Sequence, residues 1–334
     1  MSVGDINIIN VSTKLDSSDF WGAVMVRWGI NRNKYRVNPG LYSVGTPRNE
    51  SDVFVTANYK LSFDTLRKNL SGIDGWILVL DTKGINVWCA AGKGTFGTSE
   101  LTSRIKQVSL DKIVKHRRII LPQLSGTGVA AHKVKEETGF NVQYGPIRAS
   151  DIKRFIENKY RADSQMRRVS FNLKDRIKLI PNDFMYGKFQ LLLTISVFLL
   201  ISGITSKGYS FKNIWANAGN TSLRIFVAYL SGIVFTPILL PLLPARFFSL
   251  KGFYTGVLIF LILFACNLTG NNIFTILSWF LVISVISSFT AMNFTGSSTF
   301  TSLSGVKKEL KIFIPIQISI VVVGIVLQVI GQFN

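Results

Sequence analysis

Residues 76–97, WILVLDTKGINVWCAAGKGTFG, decide how the first half of the chain folds. Residues 76–81 (WILVLD) read as a strand of a sheet covered on both faces. Residues 85–89 (INVWC) read as another strand, which leaves through the small residues Ala90, Ala91, Gly92 and Gly94 and enters a helix over 98–107. Working outward, residues 52–59, 119–121 and 141–144 read as further strands. Residues 61–70, 129–137 and 150–157 read as helices; Gly139 stops the second of these, and Ser109 or Asp111 caps a short helix through Lys115. Strands alternating with helices predict an α/β, Rossmann-like domain with a mostly parallel sheet covered on both faces. Ligands of such folds gather beyond the carboxyl ends of the strands.

The second half is a different kind of polymer. The chain has 334 residues, 38 Lys and Arg against 18 Asp and Glu, and a mean hydropathy of +0.32. Residues 1–188 hold 30 of the basic and 17 of the acidic residues, whereas Glu309 is the one acid after Lys188. Five apolar stretches, 189–206, 225–245, 252–270, 273–290 and 312–331, are long enough to cross a bilayer and carry no charge. An all-α transmembrane domain of about five helices is therefore expected over 189–334, after a linker at 181–188. Pro237, Pro241 and Pro244 should kink or break the second span, and the third and fourth should meet in a tight hairpin at Asn271-Asn272. Residues 1–20 contain Asp5, Asp16 and Asp19 and no apolar core, so no signal peptide is expected. With the amino end inside, Arg246, Lys251, Lys307, Lys308 and Lys311 fall on the cytoplasmic side, against Lys207, Lys212 and Arg224 outside. A multi-pass protein of the cytoplasmic membrane, with its basic domain in the cytoplasm, is the expectation.

Charge and composition also exclude classes. The +13 balance of residues 1–188 matches an anionic headgroup surface, and no zinc-finger spacing, RRM-like signature or basic heptad helix accompanies it to suggest nucleic acid. Lys93 follows Gly92 but precedes Gly94, which breaks a Walker motif, and no G-x-G-x-x-G opens a helix. Without ionisable groups inside the spans, a pump or proton relay is disfavoured and anchoring is the simplest role. Cys89 and Cys266 are too far apart in sequence and setting to suggest a disulfide, and Cys266 reads as a small buried residue. Cys89 is the candidate reactive group: it ends the 85–89 strand beside Lys93 and a helix start, features that favour thiolate over thiol. A structural cysteine is the simpler alternative, and no C-x-x-C partner suggests zinc. His116 and His132 have no nucleophile at recognisable spacing. A second loop rich in small residues, 123–131 (QLSGTGVAA), contains Gln123, Gly126 and Gly128.

Residues 86–94, Asn86-Val87-Trp88-Cys89-Ala90-Ala91-Gly92-Lys93-Gly94, resemble the signature of the HgcA family, the membrane-bound corrinoid proteins of microbial mercury methylation. The resemblance continues through Trp28-Gly29, Pro39-Gly40-Leu41-Tyr42, residues 55–64 (VTANYKLSFD), residues 121–132 (LPQLSGTGVAAH), Tyr144-Gly145-Pro146 and residues 293–309 (NFTGSSTFTSLSGVKKE), nearly the whole chain. It implies that residues 1–180 form a corrinoid-binding domain carrying a cobalamin-type cofactor at the sheet's carboxyl edge. It further implies that Cys89 is the lower axial ligand of cobalt, with the helix from Thr98 as a cap behind it. In the resemblance Trp88 packs beneath the ring, Asn86 orients the cysteine turn, and Ala90, Ala91, Gly92 and Gly94 give the backbone access. Thr56 and Asn58 are placed to bond the ring's amides, with Val87, Lys93, Gln123, Gly126 and Gly128 around it. The D-x-H-x-x-G pattern of histidine-ligated corrinoids is absent.

The function implied is a corrinoid-dependent methyltransferase that passes methyl to Hg(II) as a carbanion equivalent, in an anaerobe. The partners implied are an HgcB-like iron–sulfur ferredoxin as electron donor and a folate-linked methyl donor pathway. Two alternatives remain: a membrane-tethered corrinoid methyl carrier of one-carbon metabolism with another acceptor, and a Cys89-based metal sensor without turnover.

Overall fold

The computed structural model describes residues 2–3, 6–294 and 303–333. The chain divides into two compact units, Met1–Val26 with Ile30–Ser170, and Arg27–Gly29 with Phe171–Asn334.

The first unit is built on a six-stranded sheet of β1 (Ile9–Asn10), β2 (Gly40–Val44), β3 (Val53–Ala57), β4 (Gly75–Leu80), β5 (Arg118–Leu121) and β6 (Asn141–Tyr144), in spatial order β1-β2-β4-β3-β5-β6. All neighbours are parallel except β2 and β4, which pair antiparallel with Leu41 opposite Leu78. Period-two alternation drives both faces into cores. Val53, Val55, Ala57, Leu78 and Leu80 point one way, into a cluster with Phe96, Leu101, Ile105 and Val134. Phe54, Ile77, Val79 and Ile120 point the other way, against Phe63, Leu66 and Phe155.

The helices of this unit are α1 (Ser17–Arg27), α2 (Lys60–Asn69), α3 (Val87–Lys93), α4 (Thr98–Gln107), α5 (Leu110–Ile113), α6 (Ala131–Thr138) and α7 (Ile152–Glu157). The helix predicted over 98–107 and the strand over 141–144 stand as read, and Gly139 ends α6 with φ 75°. The strand predicted over 85–89 does not form: those residues enter α3, because Asn86 caps a helix there instead of continuing a ladder. Helix α1 and strands β1 and β2 are additions to the sequence reading.

In the second unit five helices are long and apolar enough to cross a membrane, spanning residues 173–202, 211–239, 248–265, 273–293 and 304–333. They comprise α8 (Leu173–Ile177) with α9 (Ile180–Ser202), α10 (Phe211–Leu230) with α11 (Thr236–Leu239), α12 (Phe248–Ala265), α13 (Ile273–Asn293) and α14 (Leu303–Phe333). The predicted linker residues 181–188 are helical, inside α9. The proline-rich second span breaks as expected: a π-helical turn, Ser231–Phe235, separates α10 from α11, which ends at Leu239.

Three expectations for this unit are corrected. Helix α10 begins at Phe211, so Lys212 and Arg224 lie within a helix rather than a loop. The Arg224 guanidinium sits 4.8 Å above the Trp279 ring and donates to the Leu268 carbonyl, which is how a charge is accommodated there. Glu309 lies in α14, nearly fully buried, and its carboxylate accepts from the Ser249 backbone N–H at 2.6 Å in the first turn of α12. The connection between α12 and α13 runs from Cys266 to Asn272 rather than through two asparagines, because α12 ends at Ala265; Cys266 is exposed, not buried.

Packing among these helices follows the rule for apolar solvents, in which small residues let backbones approach. A Cβ added at Gly252 would lie 2.5 Å from the Ser287 carbonyl and 2.5 Å from the Ala291 Cβ. Beside that crossing four buried hydroxyls form a chain. Ser231 and Ser287 meet at 2.9 Å, Ser287 and Thr255 at 3.1 Å, and Thr255 and Thr236 at 2.6 Å. Of the resembling segment 293–309, residues 295–302 lie outside the described residues.

Candidate functional site

A cleft of about 410 Å³ opens at the carboxyl edge of β3, β5 and β6. Its floor is Thr56 near the end of β3, Leu121 at the end of β5 followed by Pro122, and Gly145-Pro146 just beyond β6. One wall comes from α2 through Leu61, Ser62, Thr65 and Leu66, and another from Asn86, Val87 and Trp88 at the start of α3. The lining is mostly apolar with a few hydroxyl and amide groups, the composition suited to a large flat organic ligand with a polar fringe. Trp88 is not a core aromatic; it is 42% exposed along this wall.

Cys89 stands one residue beyond the wall, exposed, at the third position of α3. The Asn86 side chain accepts a hydrogen bond from the Cys89 backbone N–H at 2.9 Å. That bond fixes the first turn of α3 and with it the origin of the thiol. The cap behind the cysteine is therefore α3 itself, which corrects the expectation that the helix from Thr98 plays that part.

The remaining predicted residues divide by what they touch. Thr56 lines the cleft, but Asn58 is committed elsewhere. Its carboxamide oxygen accepts from Thr82 Oγ1 at 2.9 Å and from the backbone N–H groups of Thr82 and Gly84, and its nitrogen donates to Asp81. It ties the end of β3 to the loop after β4 and does not reach the cleft. Ala90 and Ala91 face the core rather than a ligand, while Gly92 and Lys93 are exposed and Gly94 closes α3 in the left-handed region at φ 81°. Smallness at 90 and 91 serves the seating of α3 on the sheet.

Gly128 acts through packing, whereas Gly126 is exposed and lies outside the cleft lining. A Cβ at Gly128 would lie 2.3 Å from the Phe96 carbonyl and 3.0 Å from Ala91 Cα, so the 123–131 loop holds α3 from behind. Gly128→Ala is expected to displace α3 and reduce whatever the cleft binds by about tenfold, an effect of misplacement rather than lost contact. Near-unchanged binding by isothermal titration would contradict that role. Gln123 presents a different feature: its Oε1 is buried without a hydrogen-bond partner, just after Pro122 of the floor. That oxygen is an unsatisfied buried acceptor between two cleft residues, Pro122 and Leu124, and does not itself line the cleft.

Sequence reasoning missed the α2 wall, and Ile147, Ala149 and Ile152 of the far side, because these approach the cleft only through the fold.

Comparison with known proteins adds an independent finding. Residues 28–156 match the family model described as CO dehydrogenase/acetyl-CoA synthase delta subunit, and that segment contains the whole cleft and α3. Among curated proteins, the gamma subunit of the acetyl-CoA decarbonylase/synthase complex of Archaeoglobus fulgidus is 32% identical over 162 residues, 47% of this chain and 33% of that protein. The corrinoid/iron-sulfur protein large subunit of Moorella thermoacetica is 33% identical over 122 residues, 36% of this chain and 27% of that protein. The gamma subunit of Methanopyrus kandleri is 31% identical over 131 residues, 38% of this chain and 28% of that protein. The chain thus spans about a third or less of the length of these relatives.

Proposed function

We propose that this chain is a membrane-tethered corrinoid protein that transfers a methyl group to Hg(II), with Cys89 as the residue that would ligate cobalt. The observation that carries the reading is the placement of Cys89: an exposed thiol in the first turn of α3, directly after Asn86, Val87 and Trp88, which wall the cleft at the sheet's carboxyl edge. The corrinoid named in the Moorella relative's description supports the cofactor class. The cleft fits such a group in kind, with apolar walls, Thr56, Ser62, Thr65 and Asn86 among them, and the unpartnered Gln123 oxygen nearby.

When bound, the corrinoid would supply a transferable methyl group, and Cys89 would be the residue that ligates its cobalt. The chain's own residues do the rest. Asn86 holds the first turn of α3 so that the thiol is presented in one position, Trp88 covers apolar surface, and the Thr56 side chain offers a polar contact to the ring's fringe. The two cysteines are too few to hold an iron–sulfur cluster, so electrons come from a separate HgcB-like ferredoxin. The methyl group comes from a folate-linked donor. The five apolar helices anchor the chain in the cytoplasmic membrane, with the first unit on the cytoplasmic side.

The test uses the full chain purified in detergent. A corrin absorption band and methylmercury formation from methyl-loaded protein and Hg(II), with ferredoxin and reductant supplied, are the expected results. Absence of a corrin band refutes the reading. A second reading, favoured by the decarbonylase/synthase relatives, keeps the corrinoid and changes the acceptor; a corrin band with methyl transfer to another acceptor but none to Hg(II) selects it.

A further inference from the structure

Helix α1 is amphipathic in the inverted sense. Its inward face carries Asp19, Gly22 and Val26, and the Asp19 carboxylate is held by Lys60 and Arg67 of α2. Its outward face carries Trp21, Met25 and, one turn on, Trp28, the i, i+4, i+7 spacing of a helical stripe, with Phe20 alongside. Phe20 and Trp21 are 61% and 62% exposed and touch edge to face at 5.5 Å, so they cover each other rather than the core. An ordinary surface helix turns such a face inward. Here the inward face is fastened through Asp19 and the aromatic face is left outside, which in water exposes costly area.

Two features name the occupant. Basic residues flank the stripe, Lys14 before α1, Arg27 at its end and Lys34 just after. Tryptophan and methionine beside basic residues suit the boundary between headgroups and acyl chains of an anionic bilayer. Within the second unit, to which Arg27–Gly29 belong, the Trp28 ring meets Phe184 of α9 edge-on at 6.3 Å. We infer that α1 lies in the surface of an anionic bilayer, inserting Phe20, Trp21 and Met25 among the lipids. The inference rests on the five apolar helices being membrane spans and is independent of any corrinoid.

The experiment places the photoreactive residue p-benzoyl-L-phenylalanine at Met25 of the full chain. The protein is reconstituted in vesicles of phosphatidylcholine, with or without an equal part of phosphatidylglycerol, and irradiated, and its adducts are identified by mass spectrometry. The same reporter at the exposed Lys68 of α2 and at Trp215 of α10 gives the water and lipid references. Position 25 should yield phospholipid adducts at about ten times the Lys68 level. Phosphatidylglycerol should raise that yield about threefold, as expected for a basic rim near an anionic surface. Adducts at the Lys68 level, or adducts to a second copy of the chain or to another protein, overturn the inference while leaving the Trp215 signal intact. Loss of the signal at both Met25 and Trp215 overturns it together with the membrane spans. Equal yields in the two vesicles overturn the electrostatic part. A chain that binds no corrin changes none of these results.

Discussion

Cys89→Ala should lower methylmercury formation by about a hundredfold or more while leaving the fold intact. On the proposed function, the magnitude follows from removing the cobalt ligand outright, since changes to residues that merely orient a ligand already cost roughly 10–100-fold. Folding is spared for a local reason. The thiol is exposed and fills no core space, and the bond that caps α3 runs from the Cys89 backbone N–H to Asn86, so alanine keeps it. The variant should therefore retain the circular dichroism of the parent and still bind corrin through the cleft, with an altered absorption spectrum. Asn86→Ala is the complement: it keeps the sulfur, removes the cap, and should cost about 1 kcal/mol of local helix stability. Wild-type rates of Hg(II) methylation from the Cys89→Ala protein would remove sulfur from the mechanism.

Arg67→Ala should destabilise the first unit by about 3–5 kcal/mol, the usual consequence of stranding buried charge. Arg67 donates to Asp19 at 2.5 Å and to Asp64 at 2.8 Å, and its remaining nitrogen reaches the Ser12 carbonyl at 2.6 Å. All three charged side chains are about nine-tenths buried. Without the guanidinium, two carboxylates share Lys60, and the segment before α1 loses its tie to α2. Faster amide hydrogen exchange across α1 in the full-length variant is the measurement, and unchanged exchange would contradict the role.

The same cluster sets an acid limit. Burial by itself pushes the Asp19 carboxyl upward, but hydrogen bonds from Lys60, the Asp16 backbone and Arg67 outweigh it and hold the group well below the usual carboxylate range. A depressed folded-state value means that the stabilisation is complete above the ordinary carboxylate range and drains away as pH falls beneath it. Asp19→Asn should be less stable than wild type near neutrality, and the gap should narrow from about pH 4 downward. A gap independent of pH would exclude Asp19 as its source.

What could be read from sequence was local or strongly patterned. Helix 98–107 and strand 141–144 were legible because their periodicity is unambiguous and Gly97 and Gly139 punctuate them. Residues 85–89 misled because Ile85, Val87 and Trp88 favour strands, while the deciding signal was a single Asn86 cap. Strand β2 was missed because its stabilising partner, β4, lies more than thirty residues away. Helix α1 escaped for a better reason: its apolar stripe faces outward. Even so, a local signal was present, since Asp16 and Asp19 cap one another's backbone N–H groups reciprocally at 2.7 and 3.1 Å. The cysteine was legible as the candidate site, but the cleft was not, because its lining runs from Phe54 to Ile152 and only tertiary structure assembles it.

Ser287 ties three stretches of the second unit into one knot. Its hydroxyl touches Ser231, Thr255 and the Gly252 carbonyl, and its own carbonyl oxygen lies 2.4 Å from where a Cβ on Gly232 would stand. Sliding or rotation of α12 against α13 would break several of these buried bonds at once. The helix pair α10–α11 is thus clamped where its π-turn would otherwise make it pliant, so this bundle resists shear.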